Sequence, residues 1–311
     1  MLPLDSVPPL GPGRVRADAA AGELFAGAYR RAAFFGGIYS NYLALRSALD
    51  LARSLKAEAV FALGDFGAFG PHPDRTVEIL RSRGIVSIQG NYEEALSTAA
   101  GDCRCGYVDP RDNHYARLSF DYTAANTAAG HKAWMGTLPR HLRMTLGDRR
   151  VLCCHGSPRR VNEFLWASST SDAFLRKLLD DSQADLLICT HTGLPWSRFL
   201  EPEDGRGRRS YRGQRSYRGQ RSCRGRRGIV NVGALGRPAN DGRTEVRFAI
   251  VEAAGAETKV EFVPVAYDHA RLAAEMGNEG LPPEFRETIL TGWWTTCLEI
   301  LPAKERAAGR F

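Results

Sequence analysis

Four apolar runs in this chain stop in the same way, with a small residue followed by a polar one. Glu58 to Leu63 (EAVFAL) closes on Gly64-Asp65, Ile85 to Gln89 closes on Gly90-Asn91, Arg150 to Cys154 runs into His155-Gly156, and Asp185 to Cys189 runs into Thr190-His191. Runs of this length bounded by glycine and polar residues read as buried strands. Between the early runs lie amphipathic stretches: Tyr42 to Lys56 sets Leu45, Leu49, Ala52 and Leu55 on one helical face, and Pro73 to Arg83 makes a shorter helix. With Arg31 to Phe35 as the first strand, the opening is βαβαβ, so parallel pairing with right-handed crossovers is expected. In such sheets ligands bind beyond the carboxyl ends of the strands, so Asp65, Asn91, His155 and His191 are expected to converge on one point.

The second half is richer in strands. Leu142 to Leu146 and Arg150 to Cys154 flank a Gly147-Asp148 turn, and Gly228 to Val232, Glu245 to Val251 and Lys259 to Val265 follow. Helices are expected over Ser171 to Asp181 and much of 268 to 291. Two sheets, each backed by helices, fit this order best. The expected organisation is a flexible leader over 1–28, one domain over 29–270, and a helical C-terminal extension over 271–311 packed on that domain.

A formal charge of +7 invites a nucleic-acid reading, until the charges are located. Gly205 to Gly228 holds ten arginines and no acid, and without them the chain carries −3. This Arg-rich insert at 205–228 repeats a hexapeptide: RSYRGQ at Arg209, RSYRGQ at Arg215 and RSCRGR at Arg221. It lacks apolar periodicity, so a disordered surface loop is expected, and nucleic acid is a partner only through this insert, by charge and by stacking on Tyr211 and Tyr217. No stretch approaches the roughly 20 apolar residues of a membrane helix, and the first residues lack an apolar signal core, so a cytoplasmic protein with no membrane partner is expected. The seven cysteines read as reduced core thiols, Cys103-Arg104-Cys105 having no second pair at structural-zinc spacing.

One carboxylate, one amide oxygen and two imidazoles make a donor set for a divalent manganese, iron or zinc ion. Taken singly, each residue also has a plainer use: Asp65 and Asn91 in turns or caps, and the histidines in the core. In order and spacing, the stretches GGIYSNYLAL at Gly36, LGDFGAFGPHPD at Leu63, QGNYEEAL at Gln89, CHGSPRR at Cys154, THTGLP at Thr190 and VNVGALGRPANDG at Val230 resemble the motifs of the calcineurin-like metallophosphoesterases. They resemble especially the bacterial branch related to small phosphodiesterases and diadenosine-tetraphosphatase-like proteins. The resemblance implies an α/β fold, a four-layer αββα sandwich of two mixed β-sheets flanked by helices, and a two-metal site acting on phosphate esters.

Carried over position by position, the resemblance makes Asp65 the residue that bridges the two metals, and Asn91, His155 and His191 ligands of the second metal. All the positions that serve only the first metal have changed: they are Gly37, Tyr39 and Gly193. The expected site therefore holds one metal per chain, with Tyr39 either filling the vacated volume or acting as a phenolate ligand. The family's proton-donating histidine is Tyr92 here, a poorer acid near neutral pH. Tyr92 and Arg159 are the expected catalytic assistants. Arg160, Arg237 and Asn41, which keeps a polar position after the first strand, are the expected binders of a small phosphorylated substrate or nucleotide. The implied activity is that of a metal-dependent phosphoric ester hydrolase. The alternative is a non-catalytic relative that holds a metal and a phosphorylated ligand as a sensor or partner module. Trp293 and Trp294 are expected to pack the C-terminus onto the sandwich, or to wall a pocket or anchor a dimer.

Overall fold

The computed structural model describes residues 16–18, 23–202, 221–255 and 257–309. The strands are β1 (Arg16–Asp18), β2 (Glu23–Tyr29), β3 (Arg31–Phe35), β4 (Ala59–Ala62), β5 (Val86–Ser87), β6 (His141–Leu146), β7 (Arg149–Cys154), β8 (Leu186–Cys189), β9 (Pro195–Phe199), β10 (Arg221–Arg224), β11 (Gly228–Val232), β12 (Val246–Ala254) and β13 (Glu257–Val265). The helices are α1 (Tyr42–Ser54), α2 (Pro73–Ser82), α3 (Asn91–Ser97), α4 (Pro110–Ala125), α5 (Ala129–Gly136), α6 (Asp172–Asp181), α7 (His269–Asn278), α8 (Pro283–Thr291) and α9 (Ala303–Arg306).

Two mixed sheets result. One runs β1-β2-β6-β7-β8-β11-β9, the other β10-β13-β12-β3-β4-β5. Phe34, Phe61, Leu142, Met144, Ile188, Val230 and Val251 belong to one buried cluster drawn from both sheets, which packs them face to face. The outer face of the six-stranded sheet carries α1, α2, α7 and α8, through Phe35, Leu45, Leu80, Leu272 and Phe285. The outer face of the seven-stranded sheet carries α6, through Leu152, Leu175, Leu179 and Leu187. This is the helix, sheet, sheet, helix sandwich expected. Because β4 is covered on both faces, all its residues are apolar and buried, whereas β6 alternates buried and half-buried residues.

Local signals set the element ends. Asn41 caps α1 by accepting the Ala44 N–H, and Lys56 in the left-handed region lies just past its end. Pro73 opens α2 at a position where a helix needs no N–H. The helix expected over 268 to 291 is divided into α7 and α8, because Pro282 and Pro283 follow the left-handed Gly280.

Two regions differ from expectation. Within the leader of 1–28, β2 pairs in parallel with β6 and antiparallel with β1, its apolar run Leu24 to Ala26 extending the sheet. Within the Arg-rich insert, residues 205–220 lie outside the described residues, but Arg221–Arg224 is strand β10 and pairs antiparallel with β13. A backbone ladder needs no apolar periodicity, which is why composition pointed to a loop.

The sheets also meet at their carboxyl ends, backbone against backbone. Gly37 and Ala234 form a parallel bridge, and Gly37 O accepts the N–H of Leu235 at 3.0 Å and of Gly236 at 2.9 Å. Thr190 Oγ1 donates to Gly233 O at 2.5 Å and accepts the Gly37 N–H at 3.3 Å. A Cβ on Gly36 would lie 1.8 Å from Gly233 O, so no side chain fits there. We expect Gly36→Ala to cost about 3 kcal/mol or more in urea unfolding. A change within about 0.5 kcal/mol, the range of an ordinary surface substitution, would show that the seam is not close-packed.

Candidate metal centre

Asp65 follows β4, Asn91 opens α3, and His155 and His191 follow β7 and β8. The connections are sharp: Gly64 has φ 88°, Asp65 φ 55° and His191 φ 68°. Gly64 has no substitute, because a Cβ there would lie 2.4 Å from Gly90 N and 2.9 Å from His155 Nδ1. Left-handed Asp65 and His191 are strained conformations of a kind that gathers at functional sites.

These turns bring three donors together. One ligand atom from each of Asp65, His155 and His191 lies within 4.8 Å of the others, and all three residues are buried. His155 Nε2 is 3.2 Å from Asp65 Oδ2 and 3.2 Å from His191 Nδ1. His155 Nδ1 is 2.6 Å from Leu63 O, which can only accept, so Nδ1 carries a proton and Nε2 faces the other two groups. Burial by itself would raise the Asp65 carboxyl, but the two imidazoles and the Tyr92 N–H hold it below the usual carboxylate range. For His155, burial favours the neutral ring and is outweighed by Asp65 and the Leu63 carbonyl, which raise its pKa. Burial, and then His155, push His191 down to about 3, leaving it a neutral imidazole suited to a cation.

Asn91 opens α3, whose next residue, Tyr92, donates its N–H to Asp65 Oδ1 at 3.2 Å. Asn91 Nδ2 donates to Cys103 O at 2.8 Å, while the buried Oδ1 has no hydrogen-bond partner. An orphaned buried acceptor of this kind suits a hard or borderline divalent cation. Cys103 and Cys105, expected reduced, form a disulfide, because the left-handed Arg104 between them brings their Cα atoms to 5.2 Å. Cys153, Cys154, Cys189 and Cys223 are free, buried thiols, and Cys297 is free and half-buried.

Glu93, not singled out in the sequence, holds this loop system. Its carboxylate accepts the N–H of Asp65 at 2.7 Å, of Phe66 at 2.8 Å and of Gly90 at 2.8 Å. Burial and the Asp65 charge push its carboxyl up to about 7, against the opposing pull of those three donors. The sequence signal was an acid two residues after Asn91, which reads equally well as a charge at a helix start.

The remaining expected site residues divide. A Cβ on Gly37 would lie 2.4 Å from Tyr39 Cε1, so the Tyr39 ring fills the space a longer residue at 37 would use. Burial raises the Tyr39 phenol and keeps it neutral, which favours filling over phenolate ligation. Beside Gly193 the same room belongs to Trp294, 3.0 Å from a Cβ there. Tyr92 lines the cavity, its hydroxyl 2.9 Å from Ser119 Oγ, and burial raises its pKa well above the ordinary value. Arg237 lines the same cavity, together with Asp65, Tyr107, Phe164 and Trp166.

Three residues stand elsewhere. Arg159 is exposed, 3.7 Å from Glu163 and packed over the Phe174 ring. Arg160 is also exposed. Ser157 Oγ accepts the N–H of both, which fixes the turn that carries their side chains. Asn41 caps α1 and donates to Gly236 O at 3.1 Å, so its polar atoms serve the fold. None of the three lines the cavity.

A sequence model described as calcineurin-like phosphoesterase matches residues 31–228. An uncharacterized protein of Methanocaldococcus jannaschii is 22% identical over 262 residues, covering 84% of this chain and 97% of that one. Among solved structures, a metallophosphoesterase from Sphaerobacter thermophilus is similar with a TM-score of 0.62 and 24% identity, over 85% of this chain and 99% of its own. A hypothetical protein from Pyrococcus horikoshii gives 0.65 and 19%, with the same coverages of 85% and 99%. At these identities the structural likenesses speak for the fold.

Glu93→Gln tests the loop support. Glu93 Oε1 and Oε2 both accept backbone N–H groups, so an amide turned either way leaves at least one donor facing an NH₂. The expected loss is about 1–3 kcal/mol in urea unfolding, and an unchanged midpoint would remove Glu93 from this role.

Proposed function

This chain belongs to the calcineurin-like phosphoesterase family, and on that premise we propose that it is a metal-dependent hydrolase of a phosphate ester of a small molecule or nucleotide, working with one divalent ion. The observation that carries this reading is the buried convergence of Asp65, His155 and His191, and the unpaired buried Asn91 Oδ1 supports it. Manganese, iron and zinc suit that donor set. The single-ion count rests on Gly37 and Gly193, whose side-chain space is taken by Tyr39 and Trp294.

When bound, such an ion supplies Lewis-acid polarisation of a phosphoryl oxygen and a more acidic water. The chain's own residues do the rest. Asp65 stays ionised below neutral pH and supplies the fixed negative charge that holds the cation. His155 keeps its ring orientation through Leu63 O, and His191 stays neutral, so His191 adds no positive charge that would repel the ion. Tyr92, locked neutral, donates a hydrogen bond into the cavity in exchange with Ser119. Tyr39, Phe69, Phe164, Trp166 and Trp294 exclude bulk water and strengthen each electrostatic contact.

A second reading, a non-catalytic module that binds a metal and a phosphorylated ligand, is favoured by Tyr92 itself. A phenol raised by burial is a poor general acid for a leaving alkoxide. Nucleic acid enters either reading only through the Arg-rich insert.

Metal analysis of the purified chain is expected to find about one divalent ion; two would remove the single-ion reading. The metal-loaded protein is expected to hydrolyse at least one member of a panel of phosphomonoesters and diesters. Asp65→Ala and His155→Ala should each lower that rate by about a hundredfold or more, as loss of metal support does. A panel without turnover selects the binding module, and variants with unchanged rates remove these residues from the site.

A further inference from the structure

Arg237 is a buried cation without an anion. It follows the Gly233 to Gly236 turn after β11 and is 7% exposed. Its Nε has no hydrogen-bond partner, and among the described residues no carboxylate lies within 4.0 Å of its guanidinium. Asp65 lines the same cavity, beyond ion-pair distance. Aromatic faces surround the group instead: its central carbon is 3.4 Å from the centre of the Trp294 ring and 5.4 Å from that of Phe69. A guanidinium does not escape burial by losing its proton, and an aromatic face only partly offsets the water it has given up. A chain that keeps such a group keeps it for something that arrives with negative charge.

Its position identifies what that is. A Cβ on Gly193 would point at Trp294 and lie 4.0 Å from Arg237 Nη2. The guanidinium therefore stands at the start of the path a metal-binding side chain at 193 would take. Around it, the Tyr39 ring covers Gly37 and the Trp294 ring covers Gly193, so all the changed ligand positions face aromatic surface or this one cation. The cavity they share has about 60 Å³ of room. At about 10–15 Å³ for each water, that is space for a tetrahedral oxyanion, with any organic part at the mouth.

We propose that Arg237 is an oxyanion-binding residue that takes over the charge of a second metal ion. The guanidinium fork binds the non-bridging oxygens of a phosphoryl group whose remaining oxygens face Asp65, His155 and His191. Trp294 and Phe69 hold the fork in plane before the anion arrives, so little ordering is left to binding. That the anion is a phosphate ester rests on the phosphoesterase reading; that the subsite exists does not.

The test uses the full chain as purified, its metal content measured, with inorganic phosphate as the probe. Calorimetric titration and thermal melting are compared for wild type, Arg237→Met and Arg237→Lys. Arg237→Met is expected to lose phosphate affinity by about tenfold or more, with metal content unchanged. Without phosphate it should melt at or above the wild-type temperature, because a buried unpaired charge has been removed. Phosphate should raise the melting temperature of wild type and leave that of Arg237→Met in place, with Arg237→Lys between them. The proposal is overturned if Arg237→Met binds phosphate within about twofold of wild type, or if it melts well below wild type and so marks Arg237 as a support of the fold. Phosphate binding through Arg237 without hydrolysis of any ester sustains the subsite and removes the phosphoesterase reading. Ester hydrolysis with phosphate affinity indifferent to Arg237 does the reverse.

Discussion

Everything at the candidate site depends on how closely the two sheets approach at Gly36-Gly37 and Gly233 to Gly236. Elsewhere the sheets are held apart by a layer of side chains, Phe34 and Phe61 among them. At this edge the spacer vanishes, and Gly37 O takes two N–H groups from the chain that leaves β11. A Cβ on Gly236 would lie 2.0 Å from Ile38 O, as intolerable as one on Gly36. The turns after β4, β7 and β8 come within ligand distance of one another because the sandwich is pinched here. Thr190, one residue before His191, ties the pinch directly to the candidate metal centre.

A pinched, dry edge makes charge expensive, and the site answers in two ways. Around Asp65 the charges are compensated: imidazoles on one side and the Tyr92 N–H at 3.2 Å on the other, while Glu93 takes the N–H of Asp65 itself. Around Arg237 they are not, and the polarisable faces of Trp294 and Phe69 stand where counter-ions would. One half of the cavity is arranged for a cation and the other for an anion. In the function proposed above, a phosphoryl group between a metal and a guanidinium would satisfy both halves together, whereas either ligand alone would leave one half unpaired.

The fold and the inner donors were legible because both depend on short-range pattern. A small residue and then a polar one at the end of an apolar run marked Asp65, Asn91, His155 and His191, and the structure gathers the titratable three and leaves the Asn91 oxygen facing no partner. What was not legible depended on direction or on distance along the chain. Arg159 and Arg160 lie four and five residues beyond His155, but the turn that follows carries them to the surface. Asn41 occupies a family position, and there its carbonyl caps a helix. Trp294 comes from the far end of the chain, and no local periodicity announces that it will stand over Gly193. Strand β2 was hidden by the Pro- and Gly-rich residues that precede it.

The repeat that dominates the charge of this chain is imperfect at a telling place. Its copies read RSY, RSY and RSC, and the copy that forms β10 is the last. Cys223, the residue that breaks the repeat, is buried in the layer between the sheets. A tyrosine there would force a bulky phenol into that layer and bury its hydroxyl. The third copy departs from the first two at two positions, Cys223 for tyrosine and Arg226 for glutamine, and of these Cys223 lies in the strand. Within β10, therefore, the one position at which this copy departs from the others is a residue of the buried layer between the sheets, where a small thiol fits.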